Sequence, residues 1–121
     1  MVGEQGWTIV FYTEQSGHDP VGEFLSSLDV RTQARFDWSI EQLLLRNTQA
    51  REPLVKHLEE RIWELRRESN TNIFRLLYAF LPGRRILFLH GFQKKTQKTP
   101  RREIDVARTR LTSFLAREGG E

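Results

Sequence analysis

Two nearly continuous apolar runs, residues 73–80 and 86–92, flank the pair Pro82-Gly83. A strand with one solvated face alternates apolar and polar residues, whereas a strand that is apolar at almost every position needs cover on both faces. The two runs therefore predict central antiparallel strands joined by a tight turn, with other elements packed above and below them. Just upstream, Arg61-Ile62-Trp63-Glu64-Leu65-Arg66-Arg67 alternates, putting Trp63 and Leu65 on one face and Ile62, Glu64 and Arg66 on the other. This is a half-buried third strand of the same meander.

The rest of the chain supplies the cover. Trp7-Thr8-Ile9-Val10-Phe11-Tyr12 is rich in β-formers and reads as a first strand, broken by Gly17-His18-Asp19-Pro20. Asp19 followed by Pro20 starts a helix that runs to about Leu28. Asp29 caps a second helix, in which Phe36, Ile40, Leu43 and Leu44 fall on one buried face. After Pro53 the period changes from helical to alternating. At the other end Thr99 and Pro100 read as N-cap and first-turn proline of a helix burying Ile104, Ala107, Leu111 and Phe114. The expected fold is α+β: a small antiparallel sheet, made of the first strand and a three-strand meander, with an N-terminal helical hairpin and a C-terminal helix. At 121 residues it forms one domain over 1–121, frayed at 1–6 and 117–121, with one region of the sheet left open and basic.

Composition removes several function classes. A hydrophobic share of 38% is too high for a chain that stays disordered. The absence of cysteine excludes a disulfide framework and thiolate metal sites, and three scattered histidines do not make a zinc site. No cofactor is called for. The N-terminus lacks the charge and length pattern of a signal peptide and no stretch approaches a membrane span, so the expected location is the cytoplasm, without membrane contact. Charge is more informative by region than in total. Residues 1–50 hold three Lys/Arg against seven Asp/Glu, and residues 51–121 hold sixteen against nine. A basic half within one small fold suits a polyanion, nucleic acid above all.

That charge concentrates where chemistry is easiest to build. The segment Gly91-Phe92-Gln93-Lys94-Lys95-Thr96-Gln97-Lys98-Thr99-Pro100-Arg101-Arg102 carries an apolar strand straight into five cations at a helix start. Unpaired N–H groups and the positive end of the helix dipole favour phosphate there as well. A solvated basic loop would look the same, so the neighbours matter. Arg66 lies on the open face of its strand. Arg75 interrupts an apolar strand and must be paired or reach water, a bridge to Glu64 or to an acid near the helices being the structural solution. Lys56 and His57 come just before the alternating strand and close the same cleft. An isolated histidine such as His57 or His90 is ordinarily structural.

Together Lys56-His57-Leu58, Trp63-Glu64-Leu65-Arg66, Phe74-Arg75-Leu76-Leu77-Tyr78 and His90-Gly91-Phe92-Gln93-Lys94-Lys95-Thr96-Gln97-Lys98-Thr99-Pro100 resemble the signature of phage-derived HigB-like toxins in the RelE/ParE superfamily. The resemblance covers about residues 50–110, and the KKTQKTP run after an apolar strand is its most specific part. It implies ribosome-dependent cleavage of messenger RNA, with mRNA and the ribosome as partners and inhibition by a cognate helix-turn-helix (HigA-like) antitoxin. It also implies attack of the ribose 2′-hydroxyl on the adjacent phosphate, leaving a 2′,3′-cyclic phosphate and a 5′-hydroxyl without a metal. Such a reaction needs a base, cations for the phosphorane and an acid for the leaving oxygen.

The family positions that match are Arg66, Lys94 and Lys95 as catalytic groups, with Lys56, Arg75 and Lys98 as weaker correspondences. Lys56, Arg75, Lys98, Arg101 and Arg102 are the expected RNA and ribosome contacts. Many RelE-type toxins use a tyrosine in the final helix, and the tyrosines here are Tyr12 and Tyr78. The base is then a lysine, His57 or His90, unless alignment by the ribosome replaces it. A ParE-like toxin that binds gyrase and a plain RNA-binding module are the competing readings. Arg66 with the Lys94-Lys95 pair favours the nuclease, because a gyrase binder has no use for a phosphate-stabilising cluster.

Overall fold

The computed structural model describes residues 6–69 and 72–119. Its elements are β1 (Thr8–Phe11), α1 (Pro20–Ser26), α2 (Val30–Arg46), β2 (Val55–Glu59), β3 (Ile62–Ser69), β4 (Asn72–Leu81), β5 (Arg85–Lys94) and α3 (Arg101–Gly119), with a 3-10 turn at Asn47–Gln49. The fold is α+β, and its strands lie in the order β1-β5-β4-β3-β2.

The apolar runs form the central antiparallel pair β4 and β5. Gly83 and Arg84 turn the chain between them at φ 83° and 58°. Both helix starts before β2 follow from local chemistry. Asp19 accepts from the Gly22 N–H and Asp29 from the Thr32 N–H, each occupying a donor that the first helical turn leaves open.

The sheet is mixed rather than antiparallel. β1 pairs with β5 in parallel, Thr8 opposite Arg85 and Phe11 opposite Phe88. The helical hairpin carries the chain across the whole sheet, so β1 lies at one edge and β2 at the other. Alternation marks Trp7 to Tyr12 as a strand but carries no information about direction. The meander also has a fourth strand, β2, which holds Lys56 and His57 and pairs with β3 through a turn at Glu60, φ 45°. Its burial is too irregular for the alternation test to find.

Two corrections apply at α3. The Pro100 carbonyl accepts from the Ile104 N–H, which makes Pro100 the N-cap position and leaves the Thr99 side chain to other partners. The helix also continues in order through Arg117 to Gly119, and Glu118 holds Arg85 at 2.5 Å. The other residues expected to fray, apart from Gly6, lie outside the described ones.

Each face of the sheet has its own core. Under α1 and α2, Phe36, Ile40, Leu43 and Leu44 pack on Leu65, Leu76, Tyr78 and Phe88. Gly91 is needed on this side, since a Cβ there would fall 2.3 Å from the Phe24 ring of α1. Under α3, Ala107 and Leu111 pack with Leu77, Ala79, Leu87 and Leu89, and Phe114 is half-buried against them. No described helix is long and apolar enough to cross a membrane.

Candidate functional site

Strand register gathers charge at one end of the α3 face. Arg66 pairs with Arg75 and Arg75 with Phe92; Lys56 pairs with Glu64, Glu64 with Leu77, and Leu77 with His90. Facing residues on paired strands share a side of the sheet, so Lys56, Glu64, Arg66, Arg75 and His90 lie on one face. Lys94, opposite Ile73, continues the row. α3 begins beside them and brings Glu103 in its first turn.

The first group is built on Glu64, whose side chain is fully enclosed. One carboxylate oxygen accepts from Arg66 Nη2 at 3.0 Å and Nε at 3.3 Å. The other accepts from the Thr99 hydroxyl at 2.5 Å and lies 3.8 Å from Arg75 Nε. Arg75 is enclosed as well, and donates to Thr99 Oγ1 at 3.2 Å and to the Thr96 carbonyl. Burial works against its charged guanidinium and pulls its pKa down, Glu64 opposes that, and Arg66 adds a smaller repulsion. Arg66 also donates to the Gln97 side chain at 3.1 Å and to its carbonyl at 2.8 Å. Two arginines on adjacent strands thus hold the 96–99 loop down on the sheet. They share one carboxylate, which leaves the group with surplus positive charge.

The second group is built on Glu103. His90 Nε2 lies 2.7 Å from one oxygen, while Lys94 Nζ lies 3.7 Å and Arg102 3.9 Å from the other. His90 Nδ1 faces Arg110 at 3.4 Å, and its ring stacks on Phe92. His90 thus lies between a carboxylate at Nε2 and a guanidinium at Nδ1, and burial moves its pKa downward, with Glu103 opposing. Here too one carboxylate meets two permanent cations.

The expected site residues separate accordingly. Arg66, Lys94, His90 and Lys56 come to one face, and Lys95 and Lys98 are exposed on the adjoining loop. Lys94 is the last residue of β5 rather than part of the loop. Arg75, expected to touch RNA, is wholly enclosed, with Glu64, Thr96 and Thr99 as its partners among the described residues. His57 is on the opposite face, with its ring against Trp63 and Nε2 2.7 Å from the Glu60 carbonyl, so it does not close the cleft. Arg101 pairs with Glu59 at 2.6 Å and Asp105 at 3.1 Å, while Arg102 stays largely exposed. Neither tyrosine joins the cluster. Tyr78 is buried under the helical hairpin, which pushes its phenol pKa up, and Tyr12 lies beneath Arg110 and Arg117.

Glu103, Gln97 and Thr99 organise the cluster although a search for cations passes over them. Glu103 had a visible signal, an acid set directly after Arg101-Arg102 in a basic stretch. Among the described residues no group of three or more His, Asp or Glu side chains is arranged to hold a metal ion. A comparison with curated proteins returns no match. Residues 23–112, from within α1 to well along α3, include every member of both carboxylate-centred groups; over them the sequence matches the phage-derived Gp49-like proteins (DUF891), a family of toxin–antitoxin toxins related to RelE, and the chain belongs to that family.

Proposed function

We propose that this chain is the toxin of a toxin–antitoxin pair, of the HigB-like kind with a RelE-like fold, and that it cleaves messenger RNA on the ribosome. The observation that carries the reading is Arg66, a cation oriented by Glu64 and Gln97 at the edge of a group with surplus positive charge. A guanidinium has five N–H groups, and four hydrogen bonds from Arg66 are accounted for among the described residues. A phosphate oxygen that replaced the exposed Gln97 side-chain amide would take over the Nη1 bond, from a guanidinium already held in place by its bonds to Glu64 and the Gln97 carbonyl.

In this reading Arg66 and Lys94 meet the charge that develops when the 2′-hydroxyl attacks the neighbouring phosphorus, the bond from phosphorus to the 5′-oxygen breaks, and the hydroxyl proton passes by way of solvent to the departing 5′-oxygen. Lys56, Lys95, Lys98 and Arg102 hold the RNA backbone on either side. Arg75 acts through the loop it anchors, and Arg101 through α3. Neither histidine serves as base, since His57 is on the other face and both ring nitrogens of His90 are engaged. Alignment by the ribosome therefore supplies much of the acceleration. The natural inhibitor is a helix-turn-helix antitoxin that covers this face.

The test is induced expression in a bacterium with mapping of messenger RNA 5′ ends, comparing wild type with Arg66→Ala. Cuts phased to the ribosome should appear with wild type and fall about a hundredfold or more with the variant, as removal of one positioned donor does elsewhere. Unphased ends, or full cutting by a folded Arg66→Ala protein, would refute the assignment. Growth arrest with DNA damage and no cuts would point to gyrase instead.

A further inference from the structure

Beyond the cluster, α2, the 51–54 turn and β3 enclose a groove of about 570 Å³. β2 begins with Val55 opposite Leu65, so Arg66 and Arg67 run on past its end and border the groove. Trp38, Arg46, Arg51 and Glu52 also line it, setting four arginines against one carboxylate. Trp38 is 53% exposed, unusual for the largest aromatic side chain, and the Arg67 guanidinium lies 5.9 Å from its ring centre. Arg51 is fixed by bonds to the Thr48 and Ala50 carbonyls, at 2.9 and 2.8 Å. Arg67 Nε is buried without a hydrogen-bond partner among the described residues. An exposed indole beside ordered guanidiniums is the equipment that single-stranded nucleic acid uses, an aromatic face for the base and cations for the backbone.

We infer that this groove is a subsite for one unstacked nucleotide of the RNA strand, its base on Trp38 and its phosphate against Arg46 and Arg51. The inference rests on the RNA reading above and extends it. Arg66 belongs to both places, so a strand whose reacting phosphate lies at Arg66 has its neighbouring nucleotide within reach of the groove. The charge also selects this occupant. A polyanion matches the excess of Arg46, Arg51 and Arg67 over Glu52, whereas Trp38, Pro53 and Leu54 give a docked apolar helix little to cover.

The probe is a 2′-O-methyl RNA hexanucleotide, which cannot be cleaved by 2′-hydroxyl attack, titrated into the full chain at several salt concentrations. Indole emission should be quenched in the wild type. Trp38→Leu, at an exposed helix position where the fold persists, should weaken binding about five- to a hundredfold. Arg46→Gln with Arg51→Gln should flatten the salt dependence by about 0.7 logarithmic units for each phosphate no longer neutralised, while the equal-charge control Arg31→Gln with Arg117→Gln should not. Wild-type binding by both groove variants overturns the subsite; if Lys94→Gln with Lys95→Gln still weakens binding, the RNA reading stands without it. No binding by wild type at about 50 mM salt, where such contacts are strong, also overturns the subsite, and phased cuts in cells would then show that the function survives. If Trp38→Leu binds RNA normally yet escapes neutralisation by its co-expressed antitoxin, the groove is a protein-docking site and the inference fails.

Discussion

Beneath α1 and α2 the sheet meets apolar side chains across most of its width, whereas beneath α3 the apolar contact stops near Leu89 and Phe92 and gives way to charge. The sheet is the same; the cover differs. A two-helix hairpin excludes water from most of one face and leaves cations only along its edge, where Arg46, Arg51 and Arg67 line the groove beside Trp38. A single helix that begins at Arg101 leaves the end of the other face half open, where ions survive by pairing with Glu64 and Glu103. Stability and reactivity can therefore be sought on opposite sides of one sheet, and substitutions should separate them.

The sharpest break is Phe36→Ala, which empties a fully buried aromatic position under the hairpin. We expect a loss of about 3–5 kcal/mol in urea unfolding, enough to threaten folding outright. A loss below about 1 kcal/mol would mean that this face is not the stabilising one. Next comes Glu64→Ala, which leaves Arg75 enclosed without its carboxylate. It should cost about 3 kcal/mol and release the 96–99 loop, with Glu64→Gln milder because it can still accept from Thr99. If unfolding and RNA cleavage are both unchanged, the ion group is solvated and the contrast between the faces fails.

The smallest effect is the pH response of His90. Burial holds its pKa below the ordinary value near 6.5, so the unfolded chain takes up a proton there that the folded protein resists. Stability should fall as pH drops through that value toward the folded pKa, and be retained above it. His18 works in the opposite direction, since Glu23 and Glu14 raise its pKa. The informative quantity is therefore the difference between wild type and His90→Gln, measured by unfolding from about pH 7.5 to about pH 5, the range that brackets an ordinary histidine. Equal slopes would show that His90 is as accessible to protons in the folded state as in the unfolded one.

Patterns set by local chemistry were legible in the residues alone. The caps at Asp19 and Asp29, the buried stripe Phe36-Ile40-Leu43-Leu44 and the opposed faces of β3 each follow from residues close together in the chain. The direction of β1 depends on how the helical hairpin crosses the sheet, which no local period records. The Arg75–Glu64 bridge could be anticipated because an enclosed arginine needs a carboxylate. The separation of Lys56 from His57 depended on a strand too irregular to recognise, and the roles of Gln97 and Thr99 depended on how the loop folds back.

The parallel pairing of β1 with β5 also orders events in time. β1 is synthesised well before its partner positions, which begin at Arg85, so that edge of the sheet cannot close until β5 has followed. Lys94, the 96–99 loop and Glu103 emerge later still. On the proposed function, a nascent chain lacks a working phosphate site while its own ribosome is elongating through the first four strands. The product could turn on the machine that made it only once β5 and the start of α3 had been made.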